Sequence, residues 1–185
     1  MRTARLEGCC QFGHSATMFS GSYALLMAEY NAFMNARFYA GAASLSDEDR
    51  KRDRGAFFKS IHATLEHLLW GDRVWLTRFN GKQYPQSAIG ESMFENFAEL
   101  QAARSVMDQE ILDWARDVTP EWLAQPITWM SRLYKFTQTQ PQWVLVTQMF
   151  NHQTHHRGQV HALLTQCGVD VGPTDIPVLP ILNEA

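Results

Sequence analysis

The segment MFNHQTHHRGQVHALL holds four of the seven histidines in the chain. His152 and His156 stand four apart. On a helix turning about 100° per residue they share one stripe with Leu145, Met149, Gln159, Val160, Leu163 and Cys167, so two imidazoles occupy core positions. An i, i+4 histidine pair brings two ring nitrogens within reach of a single ion. His155 and His161 fall on other sectors, His161 near the opposite side, and read as solvated or as neighbours of the ligands. The residue after His152 is Gln153, where a zinc protease of the HExxH type carries its glutamate base. That mechanism therefore lacks its general base here. The competing arrangement makes both rings ordinary core residues, hydrogen-bonded to backbone or to each other. Burying two unpartnered imidazoles costs on the order of several kcal/mol, whereas one metal ion satisfies both nitrogens at once.

A third ligand has to come from another helix, and His62 and His67 are the candidates. Around them Phe57, Phe58, Ile61, Leu65, Leu68, Leu69, Trp75, Leu76 and Phe79 form one broad apolar stripe, with Asp72 near its centre. His67 projects instead among Ser60, Ala63, Thr64, Gly71 and Val74, a small-residue flank that leaves room for another helix or for substrate. Lys59, Glu66 and Arg73 mark a charged side elsewhere. Trp70 falls near that side, where an exposed tryptophan suits an interface. Periodicity leaves His62 and His67 both open. Asp72 reads equally as an acceptor that orients a ligand imidazole and as a buried, hydrogen-bonded acid.

Four long helices must position these residues. The first spans about 23–40, where Tyr23, Leu26, Tyr30, Phe33 and Met34 recur at three and four, with Arg37 snorkelling at the edge of the stripe. Ser44, Ser46 and the acids Asp47, Glu48 and Asp49 form a loop with helix-start chemistry. A second helix is expected from about Gly55 to Phe79, closed by Asn80-Gly81, and a third from about Met93 to Asp117, ended by Thr119-Pro120. The stretch PITWMSRLYKFTQTQ alternates and is rich in β-formers, which indicates a short hairpin or extended crossover. Pro141 then opens a fourth helix that ends near Cys167-Gly168, and a proline-containing tail follows, laid on the surface. The fold class expected is all-α: a four-helix bundle with a long crossover connection. Residues 1–19 read as a flexible extension and 20–185 as the metal-binding domain.

A length of 185 residues suits one domain with a real core. With 45% hydrophobic and 19% charged residues, and no apolar run near the roughly 18–20 residues of a membrane span, a soluble cytoplasmic protein is expected. The net charge of −3, with interspersed signs, offers no basic patch for nucleic acid and no membrane anchor. Cys9 and Cys10 are adjacent and Cys167 is remote, so neither a CxxC knuckle nor a disulfide framework is present. A small ligand remains the expected partner.

Three runs, AEYNAFMNARFY, SIHATLEHLLWGDRVWLTRFNG and NHQTHHRGQVHALLTQCG, resemble the DinB/YfiT-like family over about residues 20–170. The resemblance implies one ligand histidine opening an H-x-x-x-x-[DE]-x-x-W pattern, which fits His67 with Asp72 and Trp75. It implies two more in H-x-x-x-H-R-G-Q, which fits His152 and His156 with Arg157, Gly158 and Gln159. His67 is thereby chosen over His62, with Asp72 and Gln159 as the side chains behind the ligands. The family further implies frequent homodimers and, in some relatives, transfer or isomerisation with thiols such as bacillithiol, mycothiol or glutathione. The cofactor expected is one divalent ion, zinc, nickel or iron, set by geometry and availability. Three neutral histidines leave such an ion an open position and its full charge, which suits activation of a small-molecule thiol. A metal-dependent hydrolase and a non-catalytic metal-binding stress protein are the alternatives.

Overall fold

Most helices in this chain start where a short polar side chain can accept a free backbone N–H. Ser20 accepts from Tyr23 ahead of α1 (Gly21–Ala43), Ser46 from Asp49 ahead of α2 (Asp47–Lys51), and Ser60 from Ala63 ahead of α3 (Ile61–Phe79). Asn96 caps α4 (Phe97–Arg116) and Thr119 caps α5 (Pro120–Ala124) in the same way. For α6 (Gln142–Gln166) the preceding Pro141 replaces a side-chain cap. The computed structural model describes residues 19–82, 92–131 and 136–182. The expected extension 1–19, apart from Phe19, lies outside them, as does most of the loop after Lys82.

The bundle is all-α, with one small sheet. Helix α1 packs on α4 and α6, and α3 packs on the same two helices. The pairs α1/α3 and α4/α6 therefore occupy the two diagonals, and the connections α1-to-α3 and α4-to-α6 have to cross between them. One crossover carries the expected hairpin, β1 (Pro126–Ser131) antiparallel to β2 (Phe136–Pro141), in register from Pro126↔Pro141 to Ser131↔Phe136. Its Trp129 reaches Trp75 of α3 at 6.2 Å between ring centres, which lays the hairpin against the bundle. Leu65, Leu68 and Leu69 of α3 meet Leu100 and Ile111 of α4 and Val160 and Leu164 of α6 in the core. No helix among the described residues is long and apolar enough to cross a membrane.

The second long helix begins six residues later than its apolar pattern suggests. Gly55 and Lys59 adopt left-handed backbone, with φ of 76° and 66°, and Arg54 N–H bonds the Lys59 carbonyl at 2.8 Å. Residues 54–60 thus form a tight loop, and Phe57 leaves the helical stripe for solvent. The acids 47–49 start the separate short helix α2. After α6, two 3-10 turns at 176–178 and 180–182 replace a purely extended tail. Val171 and Leu179 of this segment are buried. Arg37, expected to snorkel, donates to the carbonyls of Val171 and Pro173 and straps the tail to α1.

At the centre of the four helices lies a charged group. Arg104 of α4 is 2% exposed, Asp72 of α3 is fully buried, and their Nη1 and Oδ2 are 2.6 Å apart. Arg104 Nη2 lies 2.9 Å from Asp108 Oδ1, which also accepts from Asn35 of α1 at 2.8 Å. Gln153 of α6 donates to the other oxygen of Asp72. Burial pushes both carboxyls upward while the guanidinium draws them back down. For Arg104, burial works against the charge, but the two carboxylates outweigh it and the group is held charged. Removing one partner of such a set leaves buried charge without compensation, which typically costs about 3–5 kcal/mol. We expect Arg104→Met to destabilise the protein by about that amount in chemical denaturation; a change below about 1 kcal/mol would show that the network is not what holds the helices.

Candidate metal centre

His67 comes from α3, and His152 and His156 come from successive turns of α6. One nitrogen from each ring forms a group whose atoms all lie within 4.8 Å of one another. His67 Nε2 and His152 Nε2 are 3.0 Å apart. Tetrahedral zinc with bonds of about 2.0–2.1 Å spaces its ligand nitrogens by about 3.3 Å, so this pair faces one shared point at close to ligand spacing. A donor set of three imidazoles, two of them presenting Nε2 to each other, fits a divalent ion.

Packing, more than hydrogen bonding, holds the rings. The His67 ring packs near-parallel to Phe58, at 3.9 Å between ring centres and 22°, and to Trp70, at 5.6 Å and 24°. Trp70, expected near the charged side, is therefore half-buried against a ligand. His152 lies over Gly71, where an added Cβ would stand 2.8 Å from its Cε1. The small-residue flank of α3 is what lets this ring sit across the helix. His156 differs: its Nδ1 meets Gln159 Oε1 at 2.8 Å, which leaves Nε2 for the cluster. The Nδ1 atoms of His67 and His152 are buried without a hydrogen-bond partner among the described residues.

The electrostatics favour neutral rings. Burial, with the neighbouring imidazoles, pushes His67 down to about 3. The same causes take His152 down to about 4. His156 is also lowered by burial, with the Gln159 hydrogen bond opposing. Protons therefore compete weakly for the ligand nitrogens near neutral pH. No carboxylate belongs to the cluster among the described residues.

The other sequence candidates lie elsewhere. His62 is buried, but its Nε2 meets the Phe94 carbonyl at 2.8 Å. Asp72 touches no ligand imidazole; it is the buried acid of the Arg104 network. Glu66, expected on the charged side, is buried and accepts from the backbone N–H groups of Met93 and Phe94. His155 is exposed and lies 3.2 Å from Gln159 Nε2. His161 packs edge-on to Phe38. A depression of about 640 Å³ between α1, α2 and α4 involves none of the ligand histidines, and its cations Arg50 and Lys51 are paired with Asp47. Sequence reasoning missed Phe58 by placing it inside a helix. The signal was Ser60 directly before Ile61, a cap ahead of an apolar run.

The architecture is a helical bundle with a three-histidine group, able to hold a metal ion, bridging its second and fourth long helices. The chain belongs to the DinB family, whose model matches residues 18–183. A DinB protein of Bacillus subtilis is 26% identical over 163 residues, covering 83% of this chain and 91% of that protein. The solved structure of a DinB-like protein from Bacillus cereus superposes with a TM-score of 0.58 at 14% identity, covering 76% of this chain and 89% of the other. At that identity the likeness concerns the fold.

Predictions of two kinds follow from this geometry, the first concerning metal. A divalent metal should co-purify at about one per chain, the number a single group of three ligands takes. His152→Ala with His156→Ala should abolish it; full occupancy in metal analysis of the double variant would refute the assignment. Gly71→Ala should preserve the helix, since alanine favours helical backbone, but displace the His152 ring and lower metal affinity by about tenfold in competition titration. The second kind concerns acid. Because the folded-state values of His67, about 3, and His152, about 4, lie below the ordinary value of 6.5, the unfolded chain binds more protons from that value down to about 3. Metal-free protein should then lose stability as pH falls through this window. His67→Phe should flatten the loss, and an unchanged slope of melting temperature against pH would contradict it.

Proposed function

We propose that this protein is a metal-dependent enzyme in which His67, His152 and His156 hold one divalent ion and a low-molecular-weight thiol is activated for transfer or isomerisation. The observation that carries this reading is a cluster made only of neutral imidazoles, with no carboxylate to offset the ion's charge. A divalent ion held this way supplies an open position and enough charge to lower the pKa of a thiol that occupies it. Gln153, where a zinc protease carries its base, turns into the core and donates to Asp72. The nearby acids are also committed, Asp72 and Asp108 to Arg104, and Glu66 to the backbone of Met93 and Phe94. That leaves no free carboxylate base beside the cluster among the described residues, which favours thiol activation over hydrolysis. The chain's own residues then act by holding three rings neutral, fixing their directions and packing Phe58 and Trp70 against His67.

Cobalt substitution provides the test. Adding glutathione or a related small thiol should change the visible and near-ultraviolet spectrum of cobalt-loaded protein, because sulfur donates charge that water does not. Binding should release a proton, so apparent affinity should rise with pH until hydroxide competes. His67→Ala should remove the response, while His161→Ala should leave it nearly intact. Absence of any thiol-induced change would sink the thiol reading, and turnover of esters or amides without thiol would replace it with a hydrolase.

A further inference from the structure

Singly exposed apolar side chains are common and by themselves mean nothing. Phe57 differs because of where the 54–60 loop puts it. The loop is closed by the Arg54–Lys59 and Lys59–Ala56 backbone hydrogen bonds, each 2.8 Å. It also holds Lys59 at a φ of 66°, a left-handed conformation unfavourable for a side chain with a Cβ. What the loop achieves is the placement of two rings. Phe58 lies flat on His67 at 3.9 Å and edge-on to His156 at 5.5 Å. Phe57, 81% exposed, stands edge-on to Phe58 at 4.8 Å. A free aromatic ring is thus one contact away from two of the three candidate metal ligands.

Resting on the reading of the histidines as a metal centre, we propose that Phe57 and Phe58 form the specificity-determining wall of that centre, selecting small substrates with an apolar, preferably aromatic, body beside the group that meets the ion. Phe58 lies flat against His67 and edge-on to His156. A substrate reaching the ion along this side meets carbon surface, while the polar chemistry is confined to the nitrogens. Aromatic rings attract a third ring in edge-on or offset geometry, and Phe57 has most of its surface available for that contact. Charged, strongly hydrated substrates gain nothing from it.

Two hydroxamates with the same metal-binding group test the wall independently of thiol chemistry. In titrations of cobalt-loaded protein, read by the cobalt spectrum, benzohydroxamate should bind about fivefold more tightly than acetohydroxamate, the size of one aromatic contact. Phe57→Ala should bring that ratio close to one, and Phe57→Tyr should restore it. Phe58→Leu, which keeps apolar volume but loses the stacked ring, should also reduce the ratio and shift the cobalt spectrum by freeing His67. An equal ratio in wild type and Phe57→Ala would overturn the proposal, as would a Phe57→Ala effect confined to self-association. A normal hydroxamate preference with no response to thiols would leave the wall standing and refute only the thiol reading.

Discussion

A guanidinium in the middle of a helical bundle is the constraint around which the other elements are arranged. Arg104 is buried between Asp72 and Asp108, and every long helix contributes to the set: Asn35 from α1, Asp72 from α3, Arg104 and Asp108 from α4, and Gln153 from α6. A hydrophobic interface tolerates sliding by a fraction of a turn, but a buried ion pair does not, because each lost partner strands a charge. The network therefore acts on register as well as on energy. With Gln153 turned toward Asp72, the rotation of α6 about its axis is set, and His152 and His156 project together to one side of that direction. The polar core and the histidine group are two readouts of the same helix orientation.

The ligand group is built differently. Its rings are located chiefly by surfaces, with Phe58 and Trp70 packed near-parallel to His67 and the bare backbone of Gly71 beneath His152. Only His156 has its remote nitrogen bonded to a side chain, Gln159. Apart from the 3.0 Å contact between their own Nε2 atoms, His67 and His152 are directed by packed surfaces. This explains why a glycine and two aromatic residues matter to a centre whose chemistry belongs to nitrogen.

Much of this was legible in the amino-acid order, and the limits were physical. The spacing of His152 and His156 placed both on the interior stripe of α6, and alternation in PITWMSRLYKFTQTQ marked the hairpin. Periodicity could not separate His62 from His67, and both are in fact buried. They differ in what they face, a loop carbonyl in one case and α6 in the other, and only the family motif carried that information. Arg104 and Asp108 were invisible because an arginine and an aspartate four apart normally decorate a solvated helix face. Their burial is decided by Asp72, a residue 32 positions away. The start of α3 was misread because Phe57 and Phe58 continue its apolar pattern, although Gly55 and Ser60 interrupt its backbone. Apolar spacing describes which side chains can be buried, while capping and left-handed turns decide where a helix can begin.

The diagonal placement of α4 and α6 bears on how the chain reaches its native state. His67 and His152 are 85 positions apart, and the intervening chain must lay down α4 and cross the bundle through the hairpin before they meet. No fragment ending before α6 contains more than one of the three ligands, so an ion cannot template the early steps. An ion held by all three histidines would bind only the assembled bundle, where mass action would raise stability with free metal concentration. The cost of closing that long segment grows slowly with its length, by about 0.6 kcal/mol for each doubling. The crossover can therefore vary in length at little expense, while an ion bound by the three histidines would latch a finished topology.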